Sequence, residues 1–391
     1  MATSSEMTAP DEARGALSAL PAGPAGVLPR QDIRRLVACG MVRAEGGSFA
    51  ESQFQPASLD LRLGRKAHRV RASFLPGAGK SVAQMLTDLT QDEIALDEGA
   101  ILEKNCVYVV ELMETLHGLP ATISAFANPK SSTGRLDVFT RLIADHSAAF
   151  DSVAGGYSGK LYAEISPSSF SIKVRTGSRL NQLRFRRSAA GDEAEAEGVR
   201  LSDRELRDVH AATPLVDGAA QIRNGLMFSI HLGADEGEII GYQAQRFTDV
   251  VDVDRVAGYA IDDFWIPVRA RRQRLILDPH QFYILASRER LHIPPGFAAE
   301  MAPIDPSMGE FRVHYAGFFD PGFGAGPDGL PGSRGVLEVR SHEVPFLLED
   351  GQIVGRLAFE RMAAEPDALY GAIGTSSYQG QALKLSKHFR G

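Results

Sequence analysis

Val107-Tyr108-Val109-Val110-Glu111-Leu112 and, far downstream, Phe282-Tyr283-Ile284-Leu285-Ala286-Ser287 open two stretches that match at a constant offset. When Leu102 to Gly134 is set beside Leu277 to Gly309, Tyr108 falls on Tyr283, Leu116 on Leu291 and His117 on His292. Pro120 falls on Pro295, Ala127 on Ala302, Ser132 on Ser307 and Gly134 on Gly309. Farther on, with the offset one residue shorter, Glu164 falls on Glu338, Gly177 on Gly351, Leu183 on Leu357 and Phe185 on Phe359. Self-similarity held over such a span marks a duplicated structural unit.

The unit is built of strands. Leu59, Leu61 and Leu63 alternate strictly with polar residues up to Gly64, the pattern of a half-buried strand ended by glycine. Short β-rich runs follow at 101–102, 107–110, 123–126 and 160–185, and resume from 227 to about 360 with Gly and Pro between them. The fold predicted is all-β, two tandem modules with a few short helices. One helix is expected near 28–37, with Ile33, Leu36 and Val37 on one face. Another is expected around Asp203-Arg204-Glu205-Leu206. Residues 1–26, rich in Ala, Ser, Pro and Gly without a basic start and apolar core, read as a disordered tail and not a signal peptide. The expected layout is 27–187 for module one, 188–220 for a linker and 221–391 for module two.

The chain has 391 residues, 44% hydrophobic and 23% charged, with a net charge of −7. That balance argues against sequence-independent binding to nucleic acid or an anionic membrane. Cys39 and Cys106 are the only cysteines and stand in no Cys-x-x-Cys pair. A disulfide framework or cysteine-rich zinc site is not expected, and two free thiols suit the cytoplasm. No apolar run reaches membrane-spanning length.

Between two strands lies Pro129-Lys130-Ser131-Ser132-Thr133-Gly134-Arg135. Hydroxyls, a glycine and two cations in seven residues suit a triphosphate; they also suit a polar turn. The second copy has Asp305, Pro306 and Glu310 in place of Lys130, Ser131 and Arg135. Carboxylates there repel phosphate, so only the first copy is expected to hold one. The second copy instead carries the turn-rich Phe318-Phe319-Asp320-Pro321-Gly322-Phe323-Gly324.

Taken with Ala57-Ser58-Leu59-Asp60-Leu61-Arg62-Leu63-Gly64, Gly335-Val336-Leu337-Glu338, Gly351-Gln352-Ile353-Val354-Gly355-Arg356-Leu357-Ala358-Phe359 and Tyr370 with Ser377-Tyr378-Gln379-Gly380-Gln381, these motifs resemble, in order and spacing, the dCTP deaminases of the dUTPase-like superfamily, in a duplicated single-chain form. The resemblance implies two distorted jelly-roll barrels packed about a three-fold or pseudo-three-fold axis in a homo-oligomer. It implies hydrolytic conversion of dCTP to dUTP and ammonia, a step toward thymidine nucleotides. Magnesium is implied only as the counter-ion of the triphosphate. The zinc-deaminase signature, His-x-Glu with Pro-Cys-x-x-Cys, is absent from the sequence, so a carboxylate is expected to carry the protons without zinc.

By resemblance the catalytic residues are Glu338, Arg135 and Ser131, with Glu164 as the alternative base. Lys130, Ser132, Asp320, Val336, Tyr370 and Gln381 are the implied substrate contacts. A strand glutamate is otherwise surface, Arg135 otherwise a loop ion pair, and Asp320 otherwise a turn residue. The hairpin Val313–Phe319 is expected to read the base by main-chain groups. Ser377 stands where a Lys is usual in the carboxy-terminal arm, which Lys384 and Lys387 could offset. A dUTPase or bifunctional enzyme is one alternative; a non-catalytic nucleotide-binding regulator is another.

Overall fold

A computed structural model describes residues 23–188, 198–302, 311–314 (backbone only), 317–326, 330–341, 343–372 and 378–390. The tail to residue 22, Asp305, Pro306, Ser307, Gly309, Glu310 and Ser377 lie outside the described residues.

The duplication is physical. Strand Gly159–Pro167 lies antiparallel between Val107–Leu116 and Val138–Ala144. Its counterpart Ser333–Ser341 lies between Phe282–Leu291 and Phe311–His314. In a second layer Ile123–Pro129 pairs with Asn181–Arg187 and Ser152–Val153, as Phe297–Ala302 pairs with Ile353–Arg361 and Phe318–Phe319. Even a side-chain bond recurs. The Tyr108 hydroxyl accepts from the Glu103 amide at 3.0 Å, and the Tyr283 hydroxyl from the Asp278 amide at 3.1 Å.

Alternation drives the burial. Leu59, Leu61 and Leu63 are all fully buried in the first core, and Leu337 and Val339 in the second. The first strand is not half-buried as expected, because Asp60 is only 2% exposed, and it is not ended by Gly64: it stops at Leu61, and Gly64 lies inside the next strand, Leu63–Val70. The Asp60 carboxylate is ion-paired with Lys130 across the sheet edge, a partner that no local pattern encodes. The first helix runs Arg30–Ala38, buries Ile33 and Leu36 and follows Pro29. A helix at Val82–Leu89 was not expected. It begins on a capping box, with the Gln84 amide donating to the Ser81 hydroxyl and the Ser81 amide to the Gln84 side chain, a signal legible as Ser81-Val82-Ala83-Gln84.

Much of the segment expected as linker is built into the second core. Helix Asp203–Ala212 is capped by Ser202 with Glu205, and Leu201, Leu206, Leu215 and Val216 are buried with Phe228 and Leu291. The halves also interlock. Strand Val251–Asp252 pairs parallel with Ile172–Val174 of the first half. Phe264, Trp265, Phe282 and Phe389 sit in the first core, with Trp265 edge-on to Phe170 at 5.3 Å and to Phe389 at 5.7 Å. The chain end therefore crosses back over the first half.

Candidate active site

That crossing closes a cavity of about 470 Å³ between the halves. Lys130, Ser131, Ser132 and Arg135 line it from the first half, and Asp320, Val336 and Glu338 from the second. Tyr370 and Gln381 line it from the arm. Glu164 does not line it.

Residues Ser131–Gly134 form a single helical turn after strand Ile123–Pro129. The amides of Thr133 and Gly134 are taken by the Lys130 carbonyl at 2.8 and 3.0 Å. The turn therefore offers a ligand its hydroxyls and cations, not those two amides. Lys130 is ion-paired with Asp60, and Arg179 Nη1 lies 3.9 Å from the same carboxylate. Lys387 reaches the same end of the cavity; burial, then Lys130, pulls its pKa down. An anion placed there would relieve Lys387.

At the other end Arg135 is 3% exposed. Its guanidinium stacks on Tyr378 at 3.8 Å, and its Nη1 and Nη2 donate to the Lys384 carbonyl and the Gln381 side chain at 2.9 and 3.1 Å. Its Nε finds no hydrogen-bond acceptor among the described residues and stands 3.9 Å from Glu338 Oε1. A buried unsatisfied donor costs about 1–3 kcal/mol, so the fold holds this N–H open at a cost. Glu338 lies between core residues Leu337 and Val339, 5% exposed, facing the cavity. Burial pushes its carboxyl up to about 8, with Arg135 pulling the other way. It is thus a buried, titratable acid and not surface.

Asp320 is also buried, with Arg184 Nη2 at 3.4 Å. Burial raises its pKa more than Arg184 lowers it. Tyr370 donates its amide to the Pro321 carbonyl at 2.8 Å, and its ring meets Phe323 at 5.6 Å. Gln381 exchanges two bonds with Arg334 on the glutamate strand itself. The Ser386 hydroxyl is 2.7 Å from the Ser132 carbonyl, which ties the arm to the helical turn.

The counterpart carboxylate is differently placed. Arg141 donates to Glu164 Oε1 through Nε and Nη2, at 3.1 and 2.5 Å. Arg141 itself stacks on Phe150 and Phe139, at 3.5 and 4.7 Å. Glu164 is thus ion-paired through Oε1, while its buried Oε2 has no hydrogen-bond partner among the described residues. Of the expected base-reading hairpin, Gly317, Phe318 and Phe319 line the cavity; residues 315–316 lie outside the described residues. Sequence reasoning missed Asp60, Arg179 and Gln182, all cavity-lining. Asp60 had a signal, a charge between two core leucines; Arg179 and Gln182 had none.

Comparison with known proteins gives three findings. The family model for the N-terminal domain of 2'-deoxycytidine 5'-triphosphate deaminase matches residues 24–189, and that for its C-terminal domain matches 202–389. The solved 2'-deoxycytidine 5'-triphosphate deaminase from Agrobacterium tumefaciens is similar at 52% identity and a TM-score of 0.81, over 86% of this chain and 99% of that one. No curated protein matches the chain.

Proposed function

The chain belongs to the 2'-deoxycytidine 5'-triphosphate deaminase family, and from that premise we propose how its cavity converts dCTP and water to dUTP and ammonia. The triphosphate, carrying magnesium as its counter-ion, lies toward Lys130, Ser132, Arg179 and Lys387. Asp320 meets the sugar and Val336 the base, and Tyr370 and Gln381 of the arm reach the phosphates. Ser131 and the open Nε–H of Arg135 orient a water beside C4 of cytosine. Glu338 takes a proton from that water as it attacks and passes it to N3, then takes the second proton from the hydroxyl added at C4 and passes it to the departing amine. The C4–N bond breaks, ammonia leaves and the uracil carbonyl remains. Glu338 works without zinc in this reading, so a zinc-selective chelator with magnesium supplied leaves turnover unchanged. Stoichiometric zinc in active protein would overturn that.

The observation that carries the reading is the buried Glu338 facing an unsatisfied Arg135 N–H. A site that holds both an acid and a donor open at an energetic cost is built for a reacting molecule. The test is release of ammonia and dUTP from dCTP, with pyrophosphate followed in parallel. Ammonia without pyrophosphate supports the reading; ammonia together with pyrophosphate would make the enzyme bifunctional, and pyrophosphate from supplied dUTP with no ammonia from dCTP would replace the reading with dUTP hydrolysis. The family findings favour neither that alternative nor the regulatory one.

We further propose a cytoplasmic homo-oligomer. The ribbon Ala100–Leu102 with Ile172–Val174 is capped on its outer edge by Val251–Asp252 of the second half. Its counterpart, Arg274–Leu277 with Phe346–Glu349, has no third strand among the described residues, and exposes Ile276 and Leu347 opposite each other. A second copy covering that ribbon repeats the internal arrangement. Sedimentation at a mass above the 42.2 kDa of one chain checks it.

A further inference from the structure

Among the charged couples that cross the boundary between the halves, two neighbouring ones have opposed signs. Arg135 of the first half faces Glu338 of the second with a 3.9 Å gap. Two residues on in each chain segment, Asp137 faces Arg340, and this couple is closed as a direct ion pair. Glu338 and Arg340 alternate with Leu337 and Val339 on strand Ser333–Ser341, so they share the face turned to the first half.

Asp137 is held firmly. It is 1% exposed, its φ is 57°, and its amide donates to the Gly134 carbonyl at 2.9 Å. The Ser169 hydroxyl donates to its Oδ2 at 2.6 Å. Arg340 is steadied in turn by donating to the His280 carbonyl at 2.7 Å. Shifting the strand by two residues would set Glu338 against Asp137 in one direction, or Arg340 against Arg135 in the other, like against like in either case. The closed couple therefore fixes the register of the open one.

We propose that Asp137 and Arg340 are positioning residues for deamination, their ion pair setting the separation between Arg135 and Glu338. This rests on the reading of Glu338 as the proton carrier. Neither residue lines the cavity, so neither contacts substrate. Their effect passes through the short backbone spans that each shares with its catalytic neighbour. Arg135 is the charged side chain whose field opposes burial at Glu338. Slackening their contact therefore moves the pH dependence as well as the rate.

The test is a double-mutant cycle in the full-length protein. Asp137→Asn keeps the shape and tolerates the left-handed backbone while removing the charge. Arg340→Gln removes the partner, and Arg340→Lys keeps a cation. Asp137→Asn and Arg340→Gln should each lower kcat by about 10- to 100-fold, the scale of a small misplacement of reacting groups. KM should stay within ~3-fold, and the double variant should be no worse than the singles. Arg340→Lys should recover part of kcat, and the acidic limb of kcat/KM should move to higher pH in the singles. A kcat for Asp137→Asn within ~2-fold of wild type, or additive losses, overturns the proposal. If Arg340→Gln does not fold, Asp137→Asn and Arg340→Lys decide. Glu338→Gln is run alongside: its loss of turnover with Asp137→Asn unaffected sinks this proposal alone, whereas retained turnover sinks the underlying reading.

Discussion

A carboxyl held near 8 in a protein interior has two consequences that can be measured separately. The first is catalytic. Glu338 must be ionised to accept a proton from water, so kcat/KM should climb with pH through a limb displaced far above the ordinary carboxylate range, toward 8. A limb near the ordinary glutamate value would remove Glu338 from the base role. Glu338→Gln should keep dCTP binding within a few-fold and lower kcat by at least ~100-fold, measured by ammonia release. The second consequence concerns stability. The folded pKa lies above the unfolded one, so the folded state keeps its proton longer as pH rises. Stability from this group is whole below the ordinary glutamate pKa and is lost as pH rises through about 8. Glu338→Gln carries no such penalty, so its Tm should exceed that of wild type, by more at pH 9 than at pH 5. An equal difference at both pH values would show that the residue is not buried as an acid. Glu164 should behave otherwise. Glu164→Gln breaks a buried pair with Arg141 and should lower the Tm while leaving kcat largely intact.

Elements show where the sequence was legible and where it was not. The strands were legible because alternation and the repeat both report local burial. Leu59, Leu61 and Leu63 on one face, and Glu338 opposite Leu337 and Val339, follow from the two-residue period. The cradle residues were legible because hydroxyl, glycine and cation chemistry sits in one short segment. The landing place of the arm was not legible, because it depends on residues remote in the chain. Phe389 docks among Phe170, Phe264 and Trp265, and the Ser386 hydroxyl meets the Ser132 carbonyl. Asp60 and Arg179 were missed for the same reason: their partners come from other strands. The docking makes the arm a strap fixed beyond the cavity, with Tyr378 and Gln381 as the span that grips Arg135. Phe389→Ala should release that span. KM for dCTP should rise roughly tenfold, about 1.4 kcal/mol, and Tm should fall because a buried core ring is lost. Hydrogen exchange over 378–389 should speed up; unchanged exchange and KM would show that the strap holds without its anchor.

At the scale of the whole molecule, duplication has let each half keep a different part of one site. The first half supplies Lys130, Ser131, Arg135 and Arg179, and the second supplies Asp320, Val336, Glu338 and the strap. The first half's own glutamate is closed by Arg141 under Phe150, and the second half's cradle position carries Asp305 and Glu310 in place of the cations. A lone module would therefore hold either the phosphate cations or the proton carrier, never both. On the proposed reading, two modules joined in one chain make one complete site, and a second site assembled from the leftover parts would lack phosphate cations and present a paired glutamate. Titration with a non-hydrolysable dCTP analogue should thus reach about one nucleotide per chain. Arg135→Ala should cost roughly 1.5–3 kcal/mol of binding or transition-state stabilisation, the scale of a charged hydrogen bond. Glu310→Ala should change neither occupancy nor turnover, because a carboxylate at that position has no anion to hold. Two equivalent nucleotides per chain, or a large loss on Glu310→Ala, would mean that the leftover parts also assemble into a working site and that the halves have not divided the chemistry between them.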